Sequence, residues 1–415
     1  MILNLAKKAK KAFPALANLS TQQKNRILYS MSRALIGYQG YILNQNKKDL
    51  QKAKRLKLSS AFIDRLTLTK ARIKDMSKSQ KALIDLSDPV GEVIKQWKTS
   101  SGLQISKVRV PIGVIAIIYE SRPDVTSDCI GLCLKSGNCV ILRGGSEAIN
   151  SNKAIYQVLS SVLHKFPVPS GVIGLVSTTR RQEVQTLLRL SDYIDLVIPR
   201  GGKSLIREVA RISRIPVIKH YQGICHVYVH SDADLAMAEK ICFNAKVQRP
   251  GTCNAMETML VDKNIAETFL PRVIQRLQAS GVEIRACPMT RRILKGIKLT
   301  SVSAKDFCTE YLDLILSVKV VKGLNEAIAH IDEYGSDHSD AIVTNNKKAS
   351  REFLNRVDSA CVYHNASTRL TDGYEFGMGA EMGISTDRLH ARGPMALEEL
   401  TIYKYIVKGQ GQIRQ

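Results

Sequence analysis

Two short runs, Val114-Ile-Ala-Ile-Ile-Tyr119 and Cys139-Val-Ile-Leu142, carry almost no polar side chain and leave few folds open. A strand with one face in water alternates polar and apolar residues. A strand that does not alternate needs cover on both faces, as in a parallel sheet flanked by helices. Helical spacing between the two runs, and a third strand-then-glycine pattern at Leu196-Val-Ile198, extend the alternation of strand and helix that builds such a sheet. A second alternation runs through Val227-Tyr-Val229, Thr258-Met-Leu-Val261, Leu314 to Val321 and Ala341-Ile-Val343, which predicts a second α/β domain.

The remaining segments read differently. Residues 1 to about 85 are helical in spacing, with Ser20 and Thr21 opening one segment and Leu58 to Met76 carrying further periodicity. From Val90 to Val110 the pattern alternates around Ser100-Ser101-Gly102, which predicts a β-hairpin. The tail from Leu400 to Ile413 reads as an extended strand in need of a partner sheet. Hairpin and tail together would add to a neighbouring subunit, giving a homo-oligomer. The expected boundaries are 1–89 and 112–229 for the first α/β domain, 230–397 for the second, and 90–111 with 398–415 for the oligomerisation element.

Composition excludes some functions and permits others. No apolar stretch is long enough to cross a bilayer, and the N-terminus lacks a signal-type hydrophobic region, so a cytoplasmic protein without membrane attachment is expected. The nine cysteines are odd in number and follow no disulfide framework, and Cys129 and Cys133 have no second pair at zinc-site spacing, so no metal is expected. The net charge of +24 suits nucleic acid, but equally a phosphorylated cofactor and an anionic substrate. Only 6% of residues are aromatic and none interleave with the basic ones as stacking platforms, which argues against nucleic acid. The lysine run from Lys7 to Lys11 is interleaved with alanine and reads as a solvated helix face.

The strongest local chemical signal is Arg249-Pro-Gly-Thr-Cys253-Asn-Ala-Met-Glu-Thr, where proline and glycine turn the chain sharply before a strand. A thiol there becomes a thiolate near cations and attacks acyl or aldehyde carbon. On these residues alone a buried structural cysteine is the commoner reading. The wider sequence alters that balance. Lys107-Val-Arg-Val-Pro-Ile-Gly-Val, Tyr119-Glu-Ser-Arg-Pro, Lys135-Ser-Gly-Asn-Cys-Val-Ile-Leu-Arg-Gly-Gly-Ser-Glu-Ala148 and the Cys253 loop are followed by Thr309-Glu-Tyr-Leu-Asp-Leu. Beyond these come Asn365-Ala-Ser-Thr-Arg369, Glu375-Phe-Gly-Met-Gly-Ala-Glu381 and His390-Ala-Arg-Gly-Pro-Met395. In this order they resemble the gamma-glutamyl phosphate reductase family, of the aldehyde dehydrogenase superfamily, over almost the whole chain.

The resemblance implies a Rossmann-like cofactor domain, an α/β catalytic domain with Cys253 as nucleophile, and a small β oligomerisation element. It implies NADPH-dependent reduction of L-glutamyl 5-phosphate to L-glutamate 5-semialdehyde in proline biosynthesis, through a Cys253 thioester. It leaves open a contact with glutamate 5-kinase, which makes the substrate. Arg143 would face the 2′-phosphate of NADP, with Gly145 and Ser146 beside it, and Gly201 and Gly202 would open a helix toward the pyrophosphate. Glu310 would hold the nicotinamide ribose. The backbone N–H of Cys253 would be the first oxyanion donor, and Ser121 falls where many superfamily members place an asparagine donor. Arg249, Asn365 and Arg369 are the candidates for substrate and phosphate, while His226 and His390 read as structural or phosphate-side groups. Two departures from the family pattern are Asp124, where asparagine is frequent, and Tyr374, in a place often held by glycine.

Cys253 and Arg143 alone would also serve a hydrolytic or a coenzyme A-acylating aldehyde dehydrogenase. Hydrolytic members carry a glutamate upstream of the cysteine in a Glu-Leu-Gly-Gly motif, whereas this chain reads Tyr221-Gln-Gly-Ile-Cys-His226, without a carboxylate to activate water.

Overall fold

A computed structural model of the chain describes residues 1–414. The backbone divides into two compact units, one formed by Met1–Lys219, Gly377–Gly383 and the tail from Met395, the other by His220–Phe376 and Ile384–Pro394.

The first unit opens with the helices Ile2–Ala17, Thr21–Gly37, Gln39–Arg55, Ser60–Leu66 and Lys70–Asp85. Ser20 caps the second of these through a capping box, its Oγ accepting the Gln23 N–H while the Gln23 side chain accepts the Ser20 N–H. In the first helix Ala6, Ala9 and Ala12 are buried while Lys7, Lys8 and Lys11 stay in water, so the lysine run is a helix face as expected. Lys10 reaches Asp195 at 2.9 Å.

Behind these helices lies a four-stranded parallel sheet ordered Ile173–Leu175, Cys139–Arg143, Val114–Tyr119, Leu196–Arg200. Every residue of Val114–Tyr119 is buried, as its unbroken apolar pattern requires. The helix Asp124–Lys135 leads out of this strand, and Asp124 in its first turn complements the positive end of the helix dipole.

The hairpin strands Val93–Lys98 and Gln104–Pro111 form a three-stranded antiparallel sheet with the tail strand Thr401–Lys408. Thr401 stands opposite Pro111 and Lys408 opposite Gln104. The partner the tail needs is thus this chain's own hairpin. Gly102 turns the hairpin with φ of 87°, in the left-handed region that favours glycine. Val93–Lys98 is exposed along its whole length, and so is the tail strand after its first residue.

The second unit is built on seven parallel strands ordered Thr300–Ser301, Glu283–Ala286, Ile315–Val321, Met256–Asp262, Cys225–Val229, Ser339–Val343, Cys361–His364. Val227 and Val229 join one apolar cluster, with the helices Leu235–Val247 and Ala266–Ala279. Tyr228 between them joins another, with the helices Leu324–Tyr334 and Lys347–Arg356. The central strands are therefore covered on both faces.

The boundaries differ from the sequence expectation, and Gly377–Gly383 and Met395 to Leu397, expected in the second domain, belong to the first unit. The chain passes between units at residues 219 and 220, not 229 and 230, because Cys225–Val229 pairs with Met256–Asp262 on one side and Ser339–Val343 on the other. Hairpin and tail also cluster with the first unit instead of standing apart. Among the described residues no helix is long and apolar enough to cross a membrane.

Candidate active site

Parallel pairing sets the geometry of the site in the second unit. When strands run the same way, the segments entering them meet at one end of the sheet. Glu310 precedes Ile315–Val321, Cys253 precedes Met256–Asp262, Gly223 precedes Cys225–Val229, and His338 precedes Ser339–Val343, on four consecutive strands.

Cys253 is half-buried in a tight turn. Thr252 Oγ1 donates to the Arg249 carbonyl at 2.8 Å and the Ala255 N–H to the Thr252 carbonyl at 3.0 Å. Asn254 Nδ2 donates to the Thr371 carbonyl at 2.8 Å, tying the turn to a neighbouring segment. Gly223 packs directly on it: a Cβ at Gly223 would lie 1.8 Å from the Cys253 carbonyl oxygen and 2.7 Å from its Cα. Only glycine permits that approach. The Gly223 N–H donates to Glu310 Oε1 at 2.9 Å, so Glu310 is held beside the Cys253 loop.

The stems of this loop are fastened by a buried ion pair that local sequence reading passes over. Lys246 Nζ, at the end of the helix Leu235–Val247, lies 2.7 Å from Glu257 Oε2 on the strand Met256–Asp262, with side chains 0% and 1% exposed. Glu257 Oε1 also accepts the Leu312 N–H at 3.2 Å, two residues from Glu310. Burial pushes the Glu257 carboxyl up to about 7 against the opposing pull of Lys246, and burial lowers Lys246 from the ordinary lysine range.

Arg369 donates through Nε to Gln248 Oε1 at 2.9 Å and through Nη1 to Asn254 Oδ1. Burial, then the nearby Arg249 charge, lowers its pKa, while Cys253 and Asp372 pull the other way. Arg249 and Arg369 are thus cations at the Cys253 loop. Asn365 differs: its φ is 56° and its amide bonds twice to Thr344, accepting the N–H at 2.9 Å and donating to the carbonyl at 3.0 Å. That is a turn-holding role. His226 is likewise structural, buried with Nδ1 2.9 Å from Asp340 Oδ1.

Of the other cysteines, Cys225 lies nearest the loop, its thiol donating to the Cys253 carbonyl at 3.2 Å. Burial above all, with the Asp340 charge behind it, holds that thiol well above the usual range, so Cys225 stays neutral. Cys308 is exposed and the remaining six are buried. One ring nitrogen each of His220 and His338 lies within 4.8 Å of Cys253 Sγ and of the other. Neither histidine stands in a motif that would have singled it out. Gly223 lies in the 221–226 segment, and that segment, free of carboxylates, packs on the Cys253 backbone.

The dinucleotide candidates stand on the first unit. Arg143 ends the strand Cys139–Arg143, its Nε buried without an acceptor, and burial lowers its pKa. Gly202 caps the helix Lys203–Ile212, but its N–H is taken by Glu120 Oε2 at 2.8 Å. A carboxylate therefore sits where the pyrophosphate was expected, drawn by the same helix dipole. Gly145 caps the short turn Ser146–Ala148. Ser121, with φ of 37°, donates both its N–H and its Oγ–H to Glu147 Oε1, each at 2.9 Å.

The aldehyde dehydrogenase family model matches residues 2–290. A gamma-glutamyl phosphate reductase of Thermodesulfovibrio yellowstonii is 54% identical over 415 residues, covering 100% of this chain and 99% of its own. The enzyme of that name from Carboxydothermus hydrogenoformans is 54% identical over 413 residues, covering 100% and 99%. A crystal structure of the gamma-glutamyl phosphate reductase of Thermotoga maritima superposes with a TM-score of 0.97 at 45% identity, covering all of both chains. With a matching family model over most of its length and relatives this similar from end to end, the chain belongs to the aldehyde dehydrogenase family and, within it, to the gamma-glutamyl phosphate reductases.

Proposed function

We propose that the chain reduces L-glutamyl 5-phosphate to L-glutamate 5-semialdehyde with NADPH, releasing phosphate, as a step of proline biosynthesis. The observation that carries this reading is the setting of Cys253. A half-buried thiol stands beside Arg249 and Arg369, and the 221–226 segment packed against it holds no carboxylate. Cations favour an anionic nucleophile and an anionic leaving group, and the segment where hydrolytic members carry their glutamate offers no carboxylate to activate water.

Cys253, as thiolate, attacks the acyl carbon. The C–S bond forms, the C–O bond to phosphate breaks, and phosphate leaves with the bonding pair into the field of Arg249 and Arg369. The N–H of Cys253 faces the oxyanion as first donor. Ser121 would serve as the second only after releasing Glu147. Bound NADPH would supply a hydride to the thioester carbonyl. Collapse of the hemithioacetal then returns the thiolate to Cys253, whose loop keeps its place through Asn254 and the Lys246–Glu257 pair.

Family members use nicotinamide cofactors, and the residues here fit one that is phosphorylated. The orphaned Arg143 Nε–H suits the 2′-phosphate, and the N-terminus of Lys203–Ile212 suits a pyrophosphate if Glu120 yields it. Gly145, Ser146, Gly201 and Gly202 would line the phosphates, and Glu310 would hold the nicotinamide ribose. Asn365 would act on substrate only indirectly, through the turn it holds. On the same reading the enzyme is cytoplasmic and a homo-oligomer joined through the hairpin-and-tail sheet, whose strands lie exposed.

The test is oxidation of glutamate 5-semialdehyde with NADP and NAD compared. Turnover should require inorganic phosphate, with arsenate substituting, and should favour NADP. Sustained NADPH formation without either anion, yielding free glutamate, would mean direct hydrolysis, and dependence on coenzyme A would mean an acylating enzyme.

A further inference from the structure

Among the described residues, Cys253 Sγ and one ring nitrogen each of His220 and His338 form a group of potential metal ligands in the second unit, mutually within 4.8 Å. Two imidazole nitrogens and one thiolate sulfur are the donor chemistry that selects zinc over calcium or magnesium. Both histidines are held by second partners of the kind that orient metal-bound imidazoles. His220 donates Nδ1–H to the Ile384 carbonyl at 2.8 Å, which puts its lone pair on Nε2. His338 Nδ1 lies 2.9 Å from Ser339 Oγ, which in turn lies 2.7 Å from Thr371 Oγ1. His338 is wholly buried, and its Nε2 has no hydrogen-bond partner. A buried, unpartnered imidazole nitrogen is costly unless something binds there.

We propose that Cys253, His220 and His338 bind a thiophilic divalent cation, zinc above all, in a three-ligand site that reversibly blocks the nucleophile. Zinc bonds of about 2.0–2.3 Å require donors somewhat closer than the observed upper separation. His338 is fixed by burial, whereas Cys253 and His220 are half-buried and close the gap by side-chain rotation. On binding, the Cys253 thiol gives its proton to solvent and its sulfur lone pair to the metal, water fills the fourth position, and nothing is oxidised or reduced. Inhibition rests on the reading of Cys253 as the nucleophile; binding does not.

The full-length reduced protein titrated with cobalt(II) should develop a thiolate-to-cobalt charge-transfer band and tetrahedral d–d bands, lost on adding zinc. Cys253→Ser should abolish the charge-transfer band. His338→Gln and His220→Gln should each weaken binding by at least about tenfold. If the buried His338 variant does not fold, His220→Gln alone decides. Zinc should suppress turnover in step with occupancy, and chelation should restore it. Absence of the band, its survival in Cys253→Ser, or parent-like affinity in the histidine variant would overturn the site. Binding with all of these signatures but without inhibition would instead count against Cys253 as the nucleophile.

Discussion

Replacing Glu257 by alanine leaves Lys246 stranded, with its side chain 0% exposed and the carboxylate that balanced its charge gone. A buried ammonium without a counter-ion either keeps its charge at the cost of desolvation or releases its proton. Release sets the ceiling. Deprotonating a lysine of ordinary pKa 10.5 at about pH 7.5 costs about 4 kcal/mol, at 1.36 kcal/mol per unit. Losing the acceptor of the Leu312 N–H adds about 1 kcal/mol, while the burial strain Lys246 already bears in the parent subtracts from the total. A net loss of about 3 kcal/mol follows, at the lower end of the range for broken buried pairs.

The pH dependence separates this mechanism from simple loss of packing. A base with a lowered folded pKa binds fewer protons folded than unfolded, so folded stability rises with pH up to the unfolded value near 10.5. The Glu257→Ala protein should gain about 2.7 kcal/mol between about pH 7.5 and 9.5, and the parent, with its pair intact, much less. Urea unfolding should be followed by circular dichroism, because the single tryptophan, Trp97, sits in the hairpin and not in this unit. A loss below about 1 kcal/mol, or a loss that does not change with pH, would show that water reaches Lys246 and would refute the argument. Lys246→Met combined with Glu257→Met should recover most of the stability, since it removes both buried charges together.

Cys253→Ala should abolish turnover while calorimetry finds NADPH bound as in the parent, and residual turnover within about tenfold of the parent would remove Cys253 from the covalent step. Arg143→Ala should weaken NADPH about tenfold to a hundredfold, with NADH hardly affected, because a charge-assisted contact to the 2′-phosphate is worth about 1.5–3 kcal/mol. Equal weakening of both would place Arg143 elsewhere. Gly223→Ala brings a methyl group to 1.8 Å from the Cys253 carbonyl oxygen and must displace the loop. Since a shift of about 1 Å costs roughly a hundredfold in rate, turnover within about tenfold of the parent would show that the loop accommodates it.

Both α/β patterns and the tight turn at Cys253 were legible because their signals are local: unbroken apolar runs, a proline-glycine turn, a cysteine before a strand. Of the sheet strands left unassigned, Thr300–Ser301 is two residues long, and Ile173–Leu175, Glu283–Ala286 and Cys361–His364 are three or four, with charged or polar residues among the apolar ones in the last two. What the sequence hides is strand order. His338 and Gly223 flank Cys253 because Ser339–Val343, Cys225–Val229 and Met256–Asp262 lie side by side, an adjacency no periodicity encodes. Lys246 and Glu257 are hidden differently. Lys246 stands just before the most conspicuous motif in the chain and Glu257 near its end, yet each alone reads as an ordinary solvated charge. Only the coverage of both faces of the sheet turns them into a pair that cannot be broken cheaply. The motif therefore points to the candidate nucleophile, and the buried pair beneath it braces the stems of that half-buried turn. A relative with the same Arg-Pro-Gly-Thr-Cys turn but no carboxylate at position 257 would need another buried anchor for the loop stems, or would hold its cysteine less firmly.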